Sequence, residues 1–249
     1  MKIAVITAMS EEFRAVAACF TAGGVTAAGA PETVRYQVGA HQFVVVESGV
    51  GFDNAARAVE KLIHDERPDL LISTGFCGGV APELQTGDVV VAKKIIVAGE
   101  GGFEEIPAGL SPVGLNFVAL EAADGKRTVG GTFVSTAAIT SKALLAAMLP
   151  DCYPTPVVEM ESGAIAIIAA EQGIPLLAIR AVSDAADEEL GFSLDEFCDA
   201  DMRRILPYKV LLTVLRKPRI IPQLVRLSRS SRRAAENLTA ALSRLFATL

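Results

Sequence analysis

The stretch VEMESGAIAIIAAEQGIPLLAIRAVSDAAD, from Val158 to Asp187, decides the fold of this chain. Its middle carries apolar residues at helical spacing, and the short apolar run Leu176–Ile179 has the composition of a buried strand. Two glutamates stand before the helix, and Arg180, Ser183 and Asp184 follow the strand. Core packing does not require polar residues at these places, whereas strand ends carry the chemistry of α/β proteins. The stretch therefore predicts part of an α/β fold with an active site at the strand end.

Short β-rich runs alternate with helical runs outward from this stretch, along residues 1 to about 200. The predicted strands are Ile3–Thr7, Phe43–Glu47, Leu70–Ser73, Asp88–Ala92, Gly131–Ser135 and Leu176–Arg180. Ser10, which two glutamates follow, and Asp53, which follows a glycine turn, predict the starts of helices. This alternation is typical of an α/β domain.

The segment from Gly99 to Gly114 interrupts the alternation. It is rich in glycine and proline, which predicts a long loop. Two interpretations stay open: a surface insertion, or a lid over a functional site, because loops of this length in compact enzymes often have a function.

Composition limits the class of protein. The chain has 249 residues, 51% hydrophobic and 6% aromatic, which is enough for one α/β domain with a large core. No apolar run reaches the ~18 residues of a membrane span, and the apolar start is too short for a signal peptide. The four cysteines form no CxxC pair and only two histidines are present, so no zinc site or disulfide framework is predicted. We expect a cytoplasmic protein with neither metal nor organic cofactor.

Charge divides the chain into two parts. Residues 1–202 hold 12 Lys and Arg and 28 Asp and Glu, a net charge of −16, and residues 203–249 hold 11 Lys and Arg and one acid, a net charge of +10. We predict an acidic catalytic domain over 1–202 and a basic extension over 203–249. After Pro222, apolar residues at helical spacing with arginines on another side predict a basic amphipathic helix. The helix either packs on the domain or contacts an anionic membrane surface, which would place the protein at the inner face of the membrane.

Three motifs in a fixed order carry a resemblance to a known family. They are MKIAVITAMSEE at residues 1–12, STGFCGGVAPELQTGDVVVA at residues 73–92, and the stretch that begins at Val158. Over residues 1 to about 200 the chain resembles the methylthioadenosine/S-adenosylhomocysteine nucleosidases of the nucleoside phosphorylase superfamily. The resemblance implies a three-layer α/β/α single domain with a mixed central sheet, which forms a homodimer and hydrolyses the N-glycosidic bond of an adenine nucleoside. The expected partner is a small-molecule purine nucleoside and not a nucleic acid.

The resemblance also assigns the catalytic residues. Cleavage of a nucleoside needs an acid for the leaving base, stabilisation of the sugar cation and a nucleophile. Asp184 resembles the acid that protonates N7 of adenine, and Ser183 would orient it. Burial would have to keep that carboxyl group protonated. Glu12 resembles the water-activating base, and Arg180 would help to orient Glu12 and the water.

Further residues are expected to contact the substrate by the same resemblance. Glu161 would accept hydrogen bonds from the ribose hydroxyls, with Met160 against the sugar face. Glu159 is either a further substrate contact or a charge at the helix start. Phe76 stands where the nucleosidases carry a small hydroxyl residue, and Ile139 where an aromatic ring stacks on adenine. The remaining expected contacts are Met9, Val50 and Gly78.

The glycine turns bear on whether water or phosphate attacks the sugar. A phosphate site needs cationic donors, and neither Ser48–Gly51 nor Thr74–Gly79 contains Lys or Arg, which favours hydrolysis. The alternatives are a purine nucleoside phosphorylase, a futalosine hydrolase and an enzyme that cleaves adenosylhopane, because the basic tail is reminiscent of hopanoid-associated members. A nucleoside-binding module without catalysis fits less well, because binding alone does not need the acid Asp184 and the base Glu12.

Overall fold

The computed structural model describes residues 1–20, 27–30, 33–123, 127–137, 141–188 and 221–249. The strands in these ranges are β1 Lys2–Thr7, β2 Ala27–Ala30, β3 Thr33–Val38, β4 His41–Glu47, β5 Leu70–Gly79, β6 Val89–Gly99, β7 Gly102–Glu105, β8 Thr128–Thr136, β9 Pro156–Glu159 and β10 Leu176–Asp184. The helices are α1 Ser10–Ala18, α2 Phe52–Glu66, α3 Pro112–Ala123, α4 Lys142–Met148, α5 Ser162–Gln172 and α6 Ile221–Phe246. None of these helices is long and apolar enough to cross a membrane.

All the described strands belong to one mixed sheet, as predicted. Its order is β10-β6-β8-β9-β5-β1-β4-β3-β2, with β7 paired to β6. A further parallel pairing between β10 and β5 closes five of the strands into a ring. Strand β5 is therefore the junction between the ring and the arm of the sheet that contains β1, and it runs through the middle of the molecule.

One edge of β5 changes partner along its length. β1 pairs with β5 as far as Ser73, and β9 pairs with it from Gly78. Between these two positions, no strand of the described residues takes the place of β1 or β9. The main chain of Thr74–Cys77 is thus open on this edge to side chains from elsewhere, which is where the polar groups converge.

Helices cover both faces of the sheet and bury two apolar clusters, which confirms the three-layer α/β/α prediction. Helices α2 and α5 contribute to one cluster, through residues such as Val59 and Ile165. Helices α1, α3 and α6 contribute to the other, through residues such as Val16, Phe117 and Leu238. The burial of both clusters provides most of the driving force for this fold.

Helix α6 is part of this core. Its apolar stripe is fully buried and consists of Ala234, Leu238, Ala241, Leu242 and Leu245. Polar contacts fix its register: the Asn237 side chain donates to the Gly87 carbonyl at 2.7 Å, and the Thr239 hydroxyl donates to the Ala15 carbonyl at 3.0 Å. The alternative in which the basic helix packs on the domain therefore accounts for its apolar side. The domain boundary at residue 202 lies outside the described residues and stays a prediction.

Two predictions about local structure were wrong. Thr74–Gly79 was predicted as a glycine turn, but β10 pairs with β5 as far as Gly78, so these residues extend the strand. Gly99–Gly114 was predicted as a long loop, but β6 and β7 form a tight hairpin there and α3 begins at Pro112. Gly99 and Gly102 pair at the hairpin turn, where Gly102 has a φ of +113° that other residues rarely adopt.

Candidate active site

Glu12 lies at the open edge of β5. It is in the first turn of α1, and its carboxylate accepts hydrogen bonds from the main-chain N–H groups of Ala8 at 2.7 Å, Met9 at 3.0 Å and Phe76 at 2.8 Å. A Cβ atom on Gly75 would overlap the Glu12 carboxylate, so glycine is needed there. The side chain is thus held from both α1 and β5.

Burial gives the Glu12 carboxyl group an unusual affinity for its proton. Burial raises its pKa from 4.5 to about 7, although the charge of Arg180 and the N–H donors oppose the shift. A base whose pKa lies near the working pH is well suited to accept a proton from water.

Arg180 lies in β10 and reaches the same edge of β5. Its Nη1 donates to the Phe76 carbonyl at 2.9 Å, and its Nη2 lies 2.6 Å from Glu159 and 3.0 Å from Glu161. The two carboxylates hold the pKa of Arg180 above its usual range against the effect of burial. Among the described residues the buried Nε has no hydrogen-bond partner. A buried N–H group in this state is normally satisfied by water or a ligand.

Glu161 and Glu159 lie against Arg180, where β9 leads into α5. The Glu161 carboxylate accepts from the Gly51 N–H at 2.9 Å, and burial raises its pKa. Glu159 accepts from the N–H groups of Glu161 at 3.0 Å and Ser162 at 2.7 Å, and its other oxygen accepts from the Ser135 hydroxyl. Protein donors thus reach both oxygens of Glu159, which agrees with a charge at the helix start. We call Glu12, Arg180, Glu159 and Glu161 the Glu12 cluster.

The Asp184 cluster consists of Ser183, Asp184 and Lys142 and lies at the end of β10. The Ser183 hydroxyl donates to Asp184 Oδ1 at 2.6 Å, and Lys142 Nζ lies 2.6 Å from Asp184 Oδ2. A Cβ atom on Gly78 would lie 3.2 Å from the same Oδ2, so β5 passes directly beside the carboxylate. The predicted pairing of Ser183 with Asp184 is present in the structure.

Lys142 is the site residue that sequence reasoning missed. It is 6% exposed and begins α4, after the N-cap Ser141. A cation at the first position of a helix opposes the helix dipole. This unfavourable placement is the signal in the sequence that could have pointed to a partner elsewhere in the fold.

The two clusters face one stretch of β5 from its two ends. Glu12 abuts Gly75 and Asp184 abuts Gly78. Three residues of a strand span about 10 Å, at roughly 3.3 Å per residue. Glu12 and Asp184 therefore lie beside two positions of β5 that are about 10 Å apart along the strand.

The other predicted site residues take different places. Met160 lies beside Gly51, whose φ of +97° aims its N–H at Glu161. Phe76 contributes its main chain to the site, while its ring is buried in the apolar cluster below α1. Met9 contributes a main-chain N–H, and the Val50 carbonyl accepts from the Asn54 side chain at 2.8 Å. Ile139 lies outside the described residues.

Comparisons with known proteins identify the family of this chain. The family model of the phosphorylase superfamily matches residues 2–206. A 5′-methylthioadenosine/S-adenosylhomocysteine nucleosidase of Actinobacillus succinogenes is 32% identical over 210 residues, 79% of this chain and 91% of that protein. One of Bacillus cereus (strain AH187) is 28% identical over 214 residues, 80% of this chain and 92% of that protein.

Solved structures show the same fold at lower identity. The nucleosidase of Neisseria meningitidis, in complex with methylthio-immucillin-A, has a TM-score of 0.71 and 21% identity, with 100% of this chain and 99% of that chain covered. A futalosine hydrolase mutant of Helicobacter pylori has a TM-score of 0.66 and 15% identity, with 98% and 99% covered. Because the family model matches residues 2–206 and a relative that is 32% identical covers 79% of this chain, this chain belongs to the phosphorylase superfamily.

Proposed function

We propose that this protein hydrolyses the N-glycosidic bond of an adenine nucleoside and releases adenine. The relatives at 28% and 32% identity, which are 5′-methylthioadenosine/S-adenosylhomocysteine nucleosidases, support this assignment. The observation that carries it is the pair of held carboxylates, Glu12 and Asp184, at two ends of one stretch of β5. One of them is suited to activate water and the other to protonate a leaving base.

We infer the following reaction, which these positions support. The C1′–N9 bond breaks with its electron pair going to adenine, and the Asp184 carboxyl group gives its proton to N7. Water attacks C1′ and loses a proton to Glu12, whose pKa of about 7 suits this transfer. Glu161 accepts hydrogen bonds from the sugar, with Met160 beside it. The unpartnered Nε of Arg180 is a donor for the water. The products are adenine and the free sugar.

The charges of the site favour water over phosphate as the nucleophile. Glu12, Glu159, Glu161 and Asp184 are acidic, and within the part of the chain that the structure describes both buried cations of the two clusters already lie within 3.0 Å of carboxyl oxygens. A phosphate dianion would enter without a free cation to bind it. A phosphorylase is therefore the less favoured activity.

The test is adenine release from a panel of nucleosides, with and without phosphate. The panel contains 5′-methylthioadenosine, S-adenosylhomocysteine, 5′-deoxyadenosine, inosine and futalosine, and a 5′-hopanoid adenosine presented in detergent. Release from at least one adenine nucleoside at a rate insensitive to phosphate supports the proposal. Binding of nucleosides without release of any base would indicate a binding module and overturn it.

A homodimer is part of the same proposal. Leu144 and Met148 on α4 are 54% and 57% exposed, close in sequence to Lys142 of the Asp184 cluster. Large apolar side chains in solvent next to a site are typical of a surface that another subunit covers. Sedimentation equilibrium of the full chain measures the assembly, and a monomeric mass at micromolar concentration contradicts the dimer.

Contact with an anionic membrane stays a prediction, as does a cytoplasmic location. The apolar stripe of α6 is packed in the core, whereas four arginines of this helix are exposed: Arg226, Arg229, Arg232 and Arg233. Contact would therefore be electrostatic, with roughly 1 kcal/mol for each basic residue near the surface. Co-sedimentation with anionic liposomes at low salt, lost at high salt, is the expected result. Absence of binding at every salt concentration would leave α6 a purely structural helix.

A further inference from the structure

Lys142 is a buried cation for which the reaction described above has no use. Its Nζ lies 2.6 Å from Asp184 Oδ2, 2.7 Å from the Glu188 carbonyl and 2.5 Å from the Ala185 carbonyl. An ammonium group has three hydrogens, so every one of them is directed to an oxygen of the segment that begins with Asp184. Ser183 donates to the second oxygen of Asp184. The carboxyl group is therefore held at both oxygens and cannot rotate freely.

Stability alone does not explain this arrangement. Removing an ammonium group from water is expensive, and a buried ion pair often stabilises a fold no better than apolar residues of the same size. The position of Lys142 at the start of α4 adds an unfavourable interaction with the helix dipole. Within the described ranges, the reacting group that Lys142 contacts is Asp184, which the proposed function makes the acid.

We propose that Lys142 is a positioning residue that acts through Asp184, an inference that rests on the proposed nucleosidase function. When the C1′–N9 bond breaks, its electron pair goes to the base and the Asp184 proton goes to N7. Asp184 is then a carboxylate whose Oδ2 lies beside the ammonium group, which keeps its three hydrogens throughout. A proton from solvent restores the acid for the next turnover.

The ammonium group accelerates the reaction because it interacts more strongly with the charge that develops on Asp184 than with the neutral acid. Only interactions that strengthen in the transition state raise kcat. Lys142 should therefore affect kcat and leave KM almost unchanged.

A double-mutant cycle separates this role from a structural one. In the wild-type background, Lys142→Met removes the charge at similar length, and we expect kcat for adenine release to fall about 10²-fold, as for loss of one preorganised donor. In an Asp184→Asn background, the same change should alter the remaining rate less than about threefold, because there is no acid for Lys142 to act through. Lys94→Met, at an exposed ion pair with Glu105, is the matched control and should leave kcat unchanged.

The Michaelis constant gives a second readout. Lys142→Met should leave KM for the nucleoside within about twofold of the wild-type value, because the interaction with the ammonium group strengthens only in the transition state. A structural defect that displaced Asp184 and its neighbours would raise KM together with the fall in kcat.

Each outcome of the cycle either supports or overturns the proposed role of Lys142. Equal losses of kcat in the two backgrounds, or an unchanged kcat in Lys142→Met, would overturn the role of Lys142. If Lys142→Met does not fold, Lys142→Gln keeps N–H donors for the carbonyls of Ala185 and Glu188 and removes the charge, and the same cycle applies to it. If the wild-type protein releases adenine from no nucleoside, the proposed function has failed instead, which the panel shows before any variant is made.

Discussion

Lowering the pH should inactivate the enzyme because Glu12 becomes protonated. This should happen well above the pH at which an exposed glutamate titrates. Burial raises the pKa of this carboxyl group from 4.5 to about 7. The base must be ionised to accept a proton from water, so kcat/KM should fall about tenfold for each pH unit below 7. At pH 5 it should be about 1% of the plateau, whereas a base with an ordinary pKa would still be largely active.

The same group makes stability depend on pH. The pKa is higher in the folded protein than in the unfolded chain, so the stabilisation linked to Glu12 is present below about pH 4.5 and is lost as the pH rises through 7. The difference between 4.5 and about 7 is about 2.5 units, or about 3 kcal/mol at 1.36 kcal/mol per unit. Denaturant unfolding of the wild type and of Glu12→Gln at pH 4.5 and 8 measures this difference.

The assay is kcat/KM for adenine release between pH 5 and 9, with Glu11→Gln as the matched control. Glu11 is the exposed neighbour that pairs with Arg14, so its removal should leave the acid limb in place. Glu12→Gln should lose at least 10²-fold in rate. An acid limb centred near pH 4.5, or a Glu12→Gln variant that keeps a tenth of the activity, would show that Glu12 is not the base.

Further predictions concern the acid, the glycine beside the base and the last helix. Asp184→Asn should bind nucleosides measurably but release adenine about 10²-fold more slowly or worse, in steady-state kinetics and equilibrium binding. Gly75→Ala should displace the Glu12 carboxylate, which a Cβ would overlap, and lower kcat at least about tenfold. Leu238→Ala, at a fully buried position of α6, should lower the unfolding free energy by about 2–5 kcal/mol, whereas Val225→Ala, at an exposed one, should change it by less than about 0.5 kcal/mol.

Three results would contradict these expectations. Full activity in Asp184→Asn would remove it from the mechanism. A Gly75→Ala variant that stays active with a normal pH profile would show that the Glu12 carboxylate lies at another position. An unchanged stability in Leu238→Ala would mean that α6 does not share the core.

The sequence predicted residues whose chemistry is local. Ser183 and Asp184 are adjacent at a strand end, and Glu12 follows β1 in the first turn of a helix, so the pattern alone indicates where they lie. The alternation of apolar runs also predicted the α/β layers, because strands and helices must bury one side each.

The sequence could not predict contacts that the ring of strands creates. Lys142 is 42 residues before Asp184, and the two meet only because β10 pairs with β5 while β8 and β9 complete the ring. The contacts of Phe76 with Glu12 and Arg180 could not be predicted either, because they use main-chain N–H and carbonyl groups and not the side chain. Thr74–Gly79 resembled a turn because glycine is rare in strands, whereas here Gly75 and Gly78 leave room for the carboxylates.

Mass spectrometry of the sugar product formed in phosphate buffer shows whether water attacks the sugar and is activated by Glu12. We expect the free sugar as the product that accompanies adenine, in equal amounts with and without phosphate, and no sugar product from Glu12→Gln. Formation of the sugar 1-phosphate in proportion to the phosphate concentration would contradict it.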